Sequence, residues 1–381
     1  MKYEYKAIED IGDIFDKRVL LRLDLNVPVK DGVVADDFRI KQSLKTLEFL
    51  KEKGARIIIV SHIEGEIKTL KPVYEYLNAL FPLKAFVPSY DGTADIPEIE
   101  SLHAREALLC ENLRQYDGEK ANDETFARNL AARADLYVNE AFSVSHRAHA
   151  SIVGVTQFLP SYAGFLFHQE VTRLSEAFSP VRPALFILGG AKFDTKLPLL
   201  EKFLRFYDYV FVAGALANDV YKFKGLEVGK SRVSEGNLLT KEFVSKENLF
   251  TPIDVVVDGP DGVRVKKPEE VTKEEIIMDA GPATSEMLND YIHRSKFVLW
   301  NGPLGNYEKG FKKPTEDLAA YIASNSIRSI IGGGDTLAAV AAQNLLDKFD
   351  FVSTAGGAML DFLANDTVPG VEALSAGMKK F

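Results

Sequence analysis

Cysteine is almost absent from this 381-residue chain, where Cys110 stands alone. One thiol excludes an internal disulfide framework and is too few for a zinc site without other ligands. A reducing compartment, the cytoplasm, is therefore expected. Cys110 lies in the apolar run EALLCENLR and reads as a core filler rather than a nucleophile. Long hydrophobic runs are missing as well. No stretch of about 18 uninterrupted apolar residues occurs, which leaves no candidate membrane span. The opening MKYEYKAIED is charged and lacks the apolar segment of a signal peptide. Neither half is basic: residues 1–170 hold 21 basic and 27 acidic residues, the remainder 25 and 28, for a net charge of −9. That argues against nucleic acid or an anionic membrane as the main partner. A small anion can still bind where basic side chains converge. Two phosphate-binding strings are absent too. Without G-x-x-x-x-G-K-[ST] there is no P-loop, and without G-x-G-x-x-G a dinucleotide fold is unsupported.

The residues present form an ordinary globular composition, 46% hydrophobic and 27% charged, in a length that fits two domains. Short apolar runs alternate with helical patterns. RVLLRLDL (18–25), ARIIIVSH (55–62) and ADLYVNEA (134–141) read as buried strands. RIKQSLKTLEFLKEKG (39–54) and DETFARNLAARA (123–134) read as helices. The alternation restarts with PALFILGG (183–190), YDYVFVAG (207–214), FVLWNGP (297–303) and RSIIGGG (328–334). Such βα repetition implies parallel sheets covered on both faces. The fold class expected is α/β, with two doubly wound, Rossmann-like domains. Between the two series, FHQEVTRLSEAFSPVRP (167–183) reads as a linking helix with prolines at its end.

Ligands of open parallel sheets bind where strands end and helices begin. The strand ends here are polar and unusual: DLNVP, SHIEG, NEAFSVSHRAHAS, GGAKFDTK, AGALAN, WNGPLGNYE and GGGDT. In IIGGGDTLAAV, Gly332, Gly333 and Gly334 either turn the chain or present backbone N–H groups and a helix dipole to a phosphate. Asp335 is available for magnesium, and Thr336 for a helix cap or a phosphate. Lys192 and Lys196, four apart, share one face of a helix, either solvated or placed for phosphate oxygens. Asn301 and Glu308 flank a Gly-Pro turn that is either structural or a nucleotide ledge. The first half gathers Arg22, Arg39, Arg114 and Arg147 with Asp24, Asn26, His62, His146 and His149. Each arginine alone could be a surface ion pair, but together they favour a small dianionic ligand.

With these strings in order, the chain resembles the phosphoglycerate kinase family along almost its whole length. RVLLRLDLNVPVKDGVVADDFRI, YVNEAFSVSHRAHASIVGV, LPSYAGFLFHQEV, LGGAKFDTKLPLL, VLWNGPLGNYE, IGGGDTLAAV, STAGGAMLDFL and PGVEAL carry the resemblance. It implies a hinge-bending cytoplasmic monomer that moves a phosphoryl group between 1,3-bisphosphoglycerate and ADP, with magnesium, giving 3-phosphoglycerate and ATP. Residues 1–166 would bind phosphoglycerate and 184–365 the nucleotide, with 167–183 linking them and 366–381 packing back on the first domain. By position, Arg22, Asp24, Asn26, Arg39, His62, Arg114 and Arg147 would bind the phosphoglycerate, with Arg39 at the reacting carboxyl-phosphate. Gly190, Ala191, Lys192, Lys196, Gly214, Asn301, Glu308, Gly332, Gly333, Gly334, Asp335 and Thr336 would bind the nucleotide, and Asp335 the metal. Arg39, Lys196, Gly356 and Gly357 would face the transferred group.

The pattern breaks at Ser61-His62-Ile63-Glu64-Gly65-Glu66. Gly65 stands where the family carries an arginine for the distal phosphate, and two acids flank it. Losing one charge-assisted contact costs about 1.5–3 kcal/mol. A weakened phosphoglycerate site is therefore expected unless another base, such as Lys68, compensates. Smaller departures are Asp194-Thr195, Asn306 in the purine pocket, and Ala355 at the head of a usually triple-glycine turn. Alanine tolerates positive φ poorly, so that turn is expected to be reshaped. The alternative reading is a nucleotide-binding relative that has lost catalysis. A dinucleotide oxidoreductase has only the fold class in its favour.

Overall fold

Val19, Leu20 and Leu21 are buried in succession, the pattern of a strand enclosed on both faces. The computed structural model describes residues 4–90, 96–191, 193–236 and 238–380, in two units: Met1–Thr172 with Asn365–Phe381, and Arg173–Ala364. In the first unit the strands are β1 (Arg18–Arg22), β2 (Val29–Lys30), β3 (Val33–Val34), β4 (Arg56–Val60), β5 (Ala85–Val87), β6 (Ala107–Cys110), β7 (Leu136–Asn139) and β8 (Ser161–Ala163). β2 and β3 form a small antiparallel ribbon. The other six make one parallel sheet in the order β5-β6-β4-β1-β7-β8. The chain fills the side of β1 that holds β4, β5 and β6, with β6 inserted between the other two, then crosses to β7 and β8 on the other side. Its switch point therefore lies at the carboxyl ends of β4, β1 and β7, where ligands of such sheets bind.

The helix Phe38–Glu52 packs on this sheet through Ile40, Leu47 and Leu50, one stripe of a 3.6-residue repeat. The chain leaves it through Gly54, whose φ of 80° suits a helix exit. The terminal helix Pro369–Met378 also belongs to this unit, tied by the Gly370 amide to Ser145 O at 2.8 Å.

In the second unit the strands are β9 (Ala184–Leu188), β10 (Tyr209–Val212), β11 (Leu249–Phe250), β12 (Val255–Asp258), β13 (Arg264–Lys266), β14 (Ile276–Ala280), β15 (Phe297–Asn301), β16 (Arg328–Gly332) and β17 (Phe351–Val352). A second six-stranded parallel sheet runs β11-β10-β9-β15-β16-β17. Register sets Leu188 beside both Val212 and Asn301, and Asn301 beside Gly332, so four polar turns leave one edge together. The sequence reading contained no antiparallel sheet, but β13-β12-β14 form one. Its strands are short, and it buries Val255 and Val257 against Ala217 and Tyr221 while Val265 stays exposed. The helix expected over 167–183 spans Phe165–Ser175, followed by a 3-10 turn at Glu176–Phe178. Pro180 disfavours helical backbone at the residue before it, which stops the helix short.

Candidate functional site

Arg22 ends β1 with its guanidinium fully buried. Such a charge is tolerable only when its donors are satisfied. Nη1 donates to Leu23 O, and Nε donates to Ser151 Oγ at 2.8 Å. Ser151 in turn donates to Glu119 Oε1 at 2.6 Å, and Glu119, wholly buried, also accepts the Ser151 amide at 2.9 Å. The remaining nitrogen, Nη2, lies 3.1 Å from His62 Nδ1. A guanidinium only donates, so Nδ1 accepts and the imidazole proton sits on Nε2. Burial, reinforced by the charges of Arg22, Arg114, Arg147 and Arg39, holds His62 well below its ordinary value and therefore neutral. Nε2 has no hydrogen-bond partner. The network thus presents an unengaged N–H donor at the strand ends.

Arg114 follows β6 on a 3-10 turn capped by Asn112, whose Oδ1 accepts the Arg114 amide at 3.1 Å. Its Nε and Nη2 are buried without hydrogen-bond partners. Glu64 pairs with Arg114 and lies 3.3 Å from Arg147 Nη1. Burial raises the Glu64 pKa, but the two arginines outweigh it and the net shift is downward, so the carboxylate is charged. The Glu64 amide donates to Asn26 Oδ1 at 3.0 Å. Asn112 fastens the same loop, donating to Ile63 O and Lys68 O at 2.9 Å each. The Lys68 side chain itself is exposed. On the other flank, Asp24 accepts from Ser143 Oγ and from the Asn26 amide, and pairs with Arg39 Nη1 at 3.2 Å. Arg39 also donates to Asn26 O at 2.8 Å, which fixes its direction. The seven expected residues of the first half thus fall into two contact sets, Arg22 with His62, and Asp24, Asn26 and Arg39 with Arg114 and Arg147 through Glu64, with the arginine charges of the second set acting on His62. Ser151, Glu119 and Asn112 were not singled out as site residues, although the quoted strings SHRAHAS and CENLR contain two of them.

In the second unit, the turns after β9, β10, β15 and β16 border a cavity of about 500 Å³, within the usual range for a small-molecule site. Gly190, Ala191 and Gly214 form one wall; Asn306, Glu308 and Asp335 also line it. Gly190 (φ 98°) and Gly214 (φ 60°) take left-handed backbone, and a Cβ at Gly214 would come within 3.1 Å of Gly190 N and O. A side chain at Gly214 would press on this approach of two turns, and one at Gly190 would be strained by its φ and would meet Lys196 Nζ at 2.8 Å. Lys196 reaches back to Gly189 O at 3.0 Å, and burial pushes its ammonium down to about 8. Lys192 lies outside the described residues.

The helix Gly334–Ala342 starts after Gly333, at φ 100°. Gly332 and Gly334 do not take positive φ. Thr336 is fully buried, and its hydroxyl accepts the Gly302 amide at 2.8 Å, locking the turn after β15 to the turn after β16. The helix Gly356–Asn365 begins beside it, with a Cβ at Gly356 falling 3.6 Å from Gly333 Cα. Two helix N-termini of nine and ten residues therefore abut, with Gly357 in the first turn of the second. Their free N–H groups and dipoles suit anionic oxygens. At Ala355, the head of the turn before the second helix, the residue avoids positive φ. Its side chain is buried, and its amide donates to Ser353 Oγ at 3.1 Å.

Asp279 and Asn218 were not anticipated. Both border the cavity and are buried, and Asp279 Oδ2 and Asn218 Oδ1 lack partners. Burial raises the Asp279 carboxyl to about 7. Among the described residues no cluster of three or more His, Cys, Asp or Glu is disposed around a metal, and no helix is long and apolar enough to cross a membrane.

The family model for phosphoglycerate kinase matches residues 8–366. A phosphoglycerate kinase of Wolbachia sp. subsp. Drosophila simulans is 42% identical over 386 aligned positions, covering 95% of this chain and 96% of that protein. One from Dictyoglomus turgidum is 39% identical over 394 positions, covering 97% and 98%. Among solved structures, phosphoglycerate kinase from Coxiella burnetii matches with a TM-score of 0.84 at 34% identity, over 98% of this chain and 99% of that one. The enzyme from Pyrococcus horikoshii matches at 0.86 and 28% identity, over 99% and 100%. Similarity that runs from end to end in both partners leaves no half of the chain to another activity: it belongs to the phosphoglycerate kinase family and has that family's phosphotransferase activity.

Proposed function

We propose that the network at the end of the first sheet holds phosphoglycerate and that the cavity of the second unit holds the magnesium nucleotide. The observation that carries this reading is the set of buried donors without partners, His62 Nε2 with Arg114 Nε and Nη2. Buried donors are normally satisfied, and a small anion supplies the missing acceptors. His62, Arg114 and Arg147 would grip the distal phosphate, with Arg22 fixing the tautomer of His62. Asp24 and Asn26 would meet the hydroxyl end, and Arg39 the reacting carboxyl-phosphate.

In the second unit, Gly190, Ala191 and Gly214 would wall the base, Glu308 would meet the ribose, and Asn301 would stand at the phosphates with Gly332, Gly333, Gly334 and the Thr336 amide. Lys192 and Lys196 would follow the phosphates. Magnesium usually takes one or two carboxylates and completes its shell from phosphates and water, so Asp335, a lone exposed carboxylate at a helix head, fits the role. When bound, the metal neutralises charge on the nucleotide phosphates. An acyl phosphate is an active donor, so these side chains need only align the reacting oxygens, exclude water and spread charge. Arg39, Lys196 and the amides of Gly356 and Gly357 would supply that charge. The lone buried Cys110 supports a cytoplasmic setting, and a monomer is the expected state.

The phosphoglycerate site is weakened in this reading. Gly65 contributes no charge, and Glu64 draws on Arg114 and Arg147. The test is a coupled assay of ATP formation from 1,3-bisphosphoglycerate and ADP, with and without magnesium. Turnover dependent on magnesium, with a high KM for 3-phosphoglycerate in the reverse direction, is the expected result. ATP binding with no turnover would favour the impaired relative, a reading that only the placement of Glu64 supports.

A further inference from the structure

Glu64 sits where an anionic ligand of the first unit would sit. Its carboxylate pairs with Arg114, whose side chain is 4% exposed, and reaches Arg147 as well. A carboxylate engages guanidinium groups through the same oxygen geometry as a phosphate. No other acidic group pairs with Arg114 among the described residues, and a buried guanidinium without a counter-ion is costly. Glu64 is therefore the counter-ion of Arg114 in the free protein. It acts from the surface: its own side chain is 48% exposed, and the next residue, Gly65, has φ 104° with nothing within 4 Å of a Cβ position. The carboxylate can leave for water without disturbing a packed neighbour.

We propose that Glu64 is a resident competitor for the anion site of Arg114, Arg147 and His62, setting how concentrated any anion must be to enter it. This rests on reading that cluster as the phosphoglycerate phosphate site. A tethered carboxylate competes as an intramolecular ligand, at an effective concentration that free anions must exceed. It lowers the apparent affinity of every anion by the fraction of sites it occupies. A small anion such as sulfate has only this cluster to hold it and is turned away. A phosphoglycerate, held at its other end by Asp24, Asn26 and Arg39, can still displace the carboxylate and gains the donors it leaves unused, His62 Nε2 and Arg114 Nε and Nη2.

The test uses the full chain and its Glu64→Gln and Glu64→Ala variants. KM for 3-phosphoglycerate is expected to fall at least fivefold in both, with KM for ATP moving less than twofold. Inorganic sulfate, titrated by its effect on the thermal midpoint, is expected to act at concentrations at least fivefold lower in both variants. A KM for phosphoglycerate and a sulfate response that are unchanged or weaker in both variants would overturn the proposal. If neither the parent nor the variants turn over, the phosphoglycerate reading fails, and the sulfate titration alone still decides whether Glu64 competes for the cluster.

Discussion

Arg22 and Ser151, 129 residues apart in the chain, share a buried hydrogen bond of 2.8 Å from the guanidinium Nε to the hydroxyl. Ser151 passes the interaction on to Glu119, so a charge on one side of His62 is balanced by a carboxylate two contacts away. Ser151 and Leu23 O hold the Arg22 guanidinium, and Arg22 in turn sets the tautomer of His62. Replacing Ser151 by alanine leaves buried polar atoms of Arg22 and Glu119 without this partner, at a cost of about 1–3 kcal/mol. The expected outcome is a lower urea midpoint and a severalfold higher KM for 3-phosphoglycerate, with KM for ATP unchanged.

His149 is pushed down to about 4, by burial first and then by Arg114, Arg22 and Arg147. Between pH 4 and its ordinary value of 6.5, the unfolded chain binds a proton that the folded chain refuses. Stability from this group therefore rises with pH across that window and is lost as the pH falls. Relative to His149→Gln, the parent should lose stability on acidification from pH 6.5 to 4. Denaturation curves of the pair at matched pH values check the sign.

Asp279 has the opposite sign. Its folded value, about 7, stands above its ordinary 3.8, so the folded chain binds the extra proton and stability falls as the pH rises through that interval. Asp279→Asn should gain on the parent between pH 4 and pH 7, by at most about 4 kcal/mol. A constant difference across that range would show that the carboxyl ionises in the folded state as it does in water.

Lys196, pushed down to about 8 by burial, loses its charge as the pH passes that value. The limb of kcat/KM for the nucleotide, which reports the free enzyme, should therefore decline above about pH 8. Lys196→Ala should lower kcat by about a hundredfold or more, in line with the loss of a group that stabilises transition-state charge. A pH profile that stays flat to pH 9.5 in the parent would remove Lys196 from that role.

Gly65→Arg would place at this position the arginine that the family resemblance implies, but at a φ of 104°. Left-handed backbone costs a residue with a side chain about 1–2 kcal/mol, against about 1.5–3 kcal/mol for a charge-assisted contact. KM for 3-phosphoglycerate should fall by no more than about thirtyfold, and KM for ATP should stay where it is.

The strand-turn-helix rhythm was legible because enclosed parallel strands must be continuously apolar and their turns must be polar or glycine-rich. β1, β4, β9 and β15 all show it, and so do the turns at Gly190, Gly214 and Gly333. The order of the family's strings along the chain needed no coordinates either. The small antiparallel sheet escaped the reading because strands of three to five residues carry too little pattern. Only the tertiary structure could decide that Glu64 pairs with Arg114, 50 positions later, that Ser151 restrains Arg22, that Thr336 holds the Gly302 amide, and that Asp279 and Asn218 border the cavity. Each of these depends on which strand ends lie side by side. Sheet order sets that, whereas spacing along the chain records only which residues follow one another.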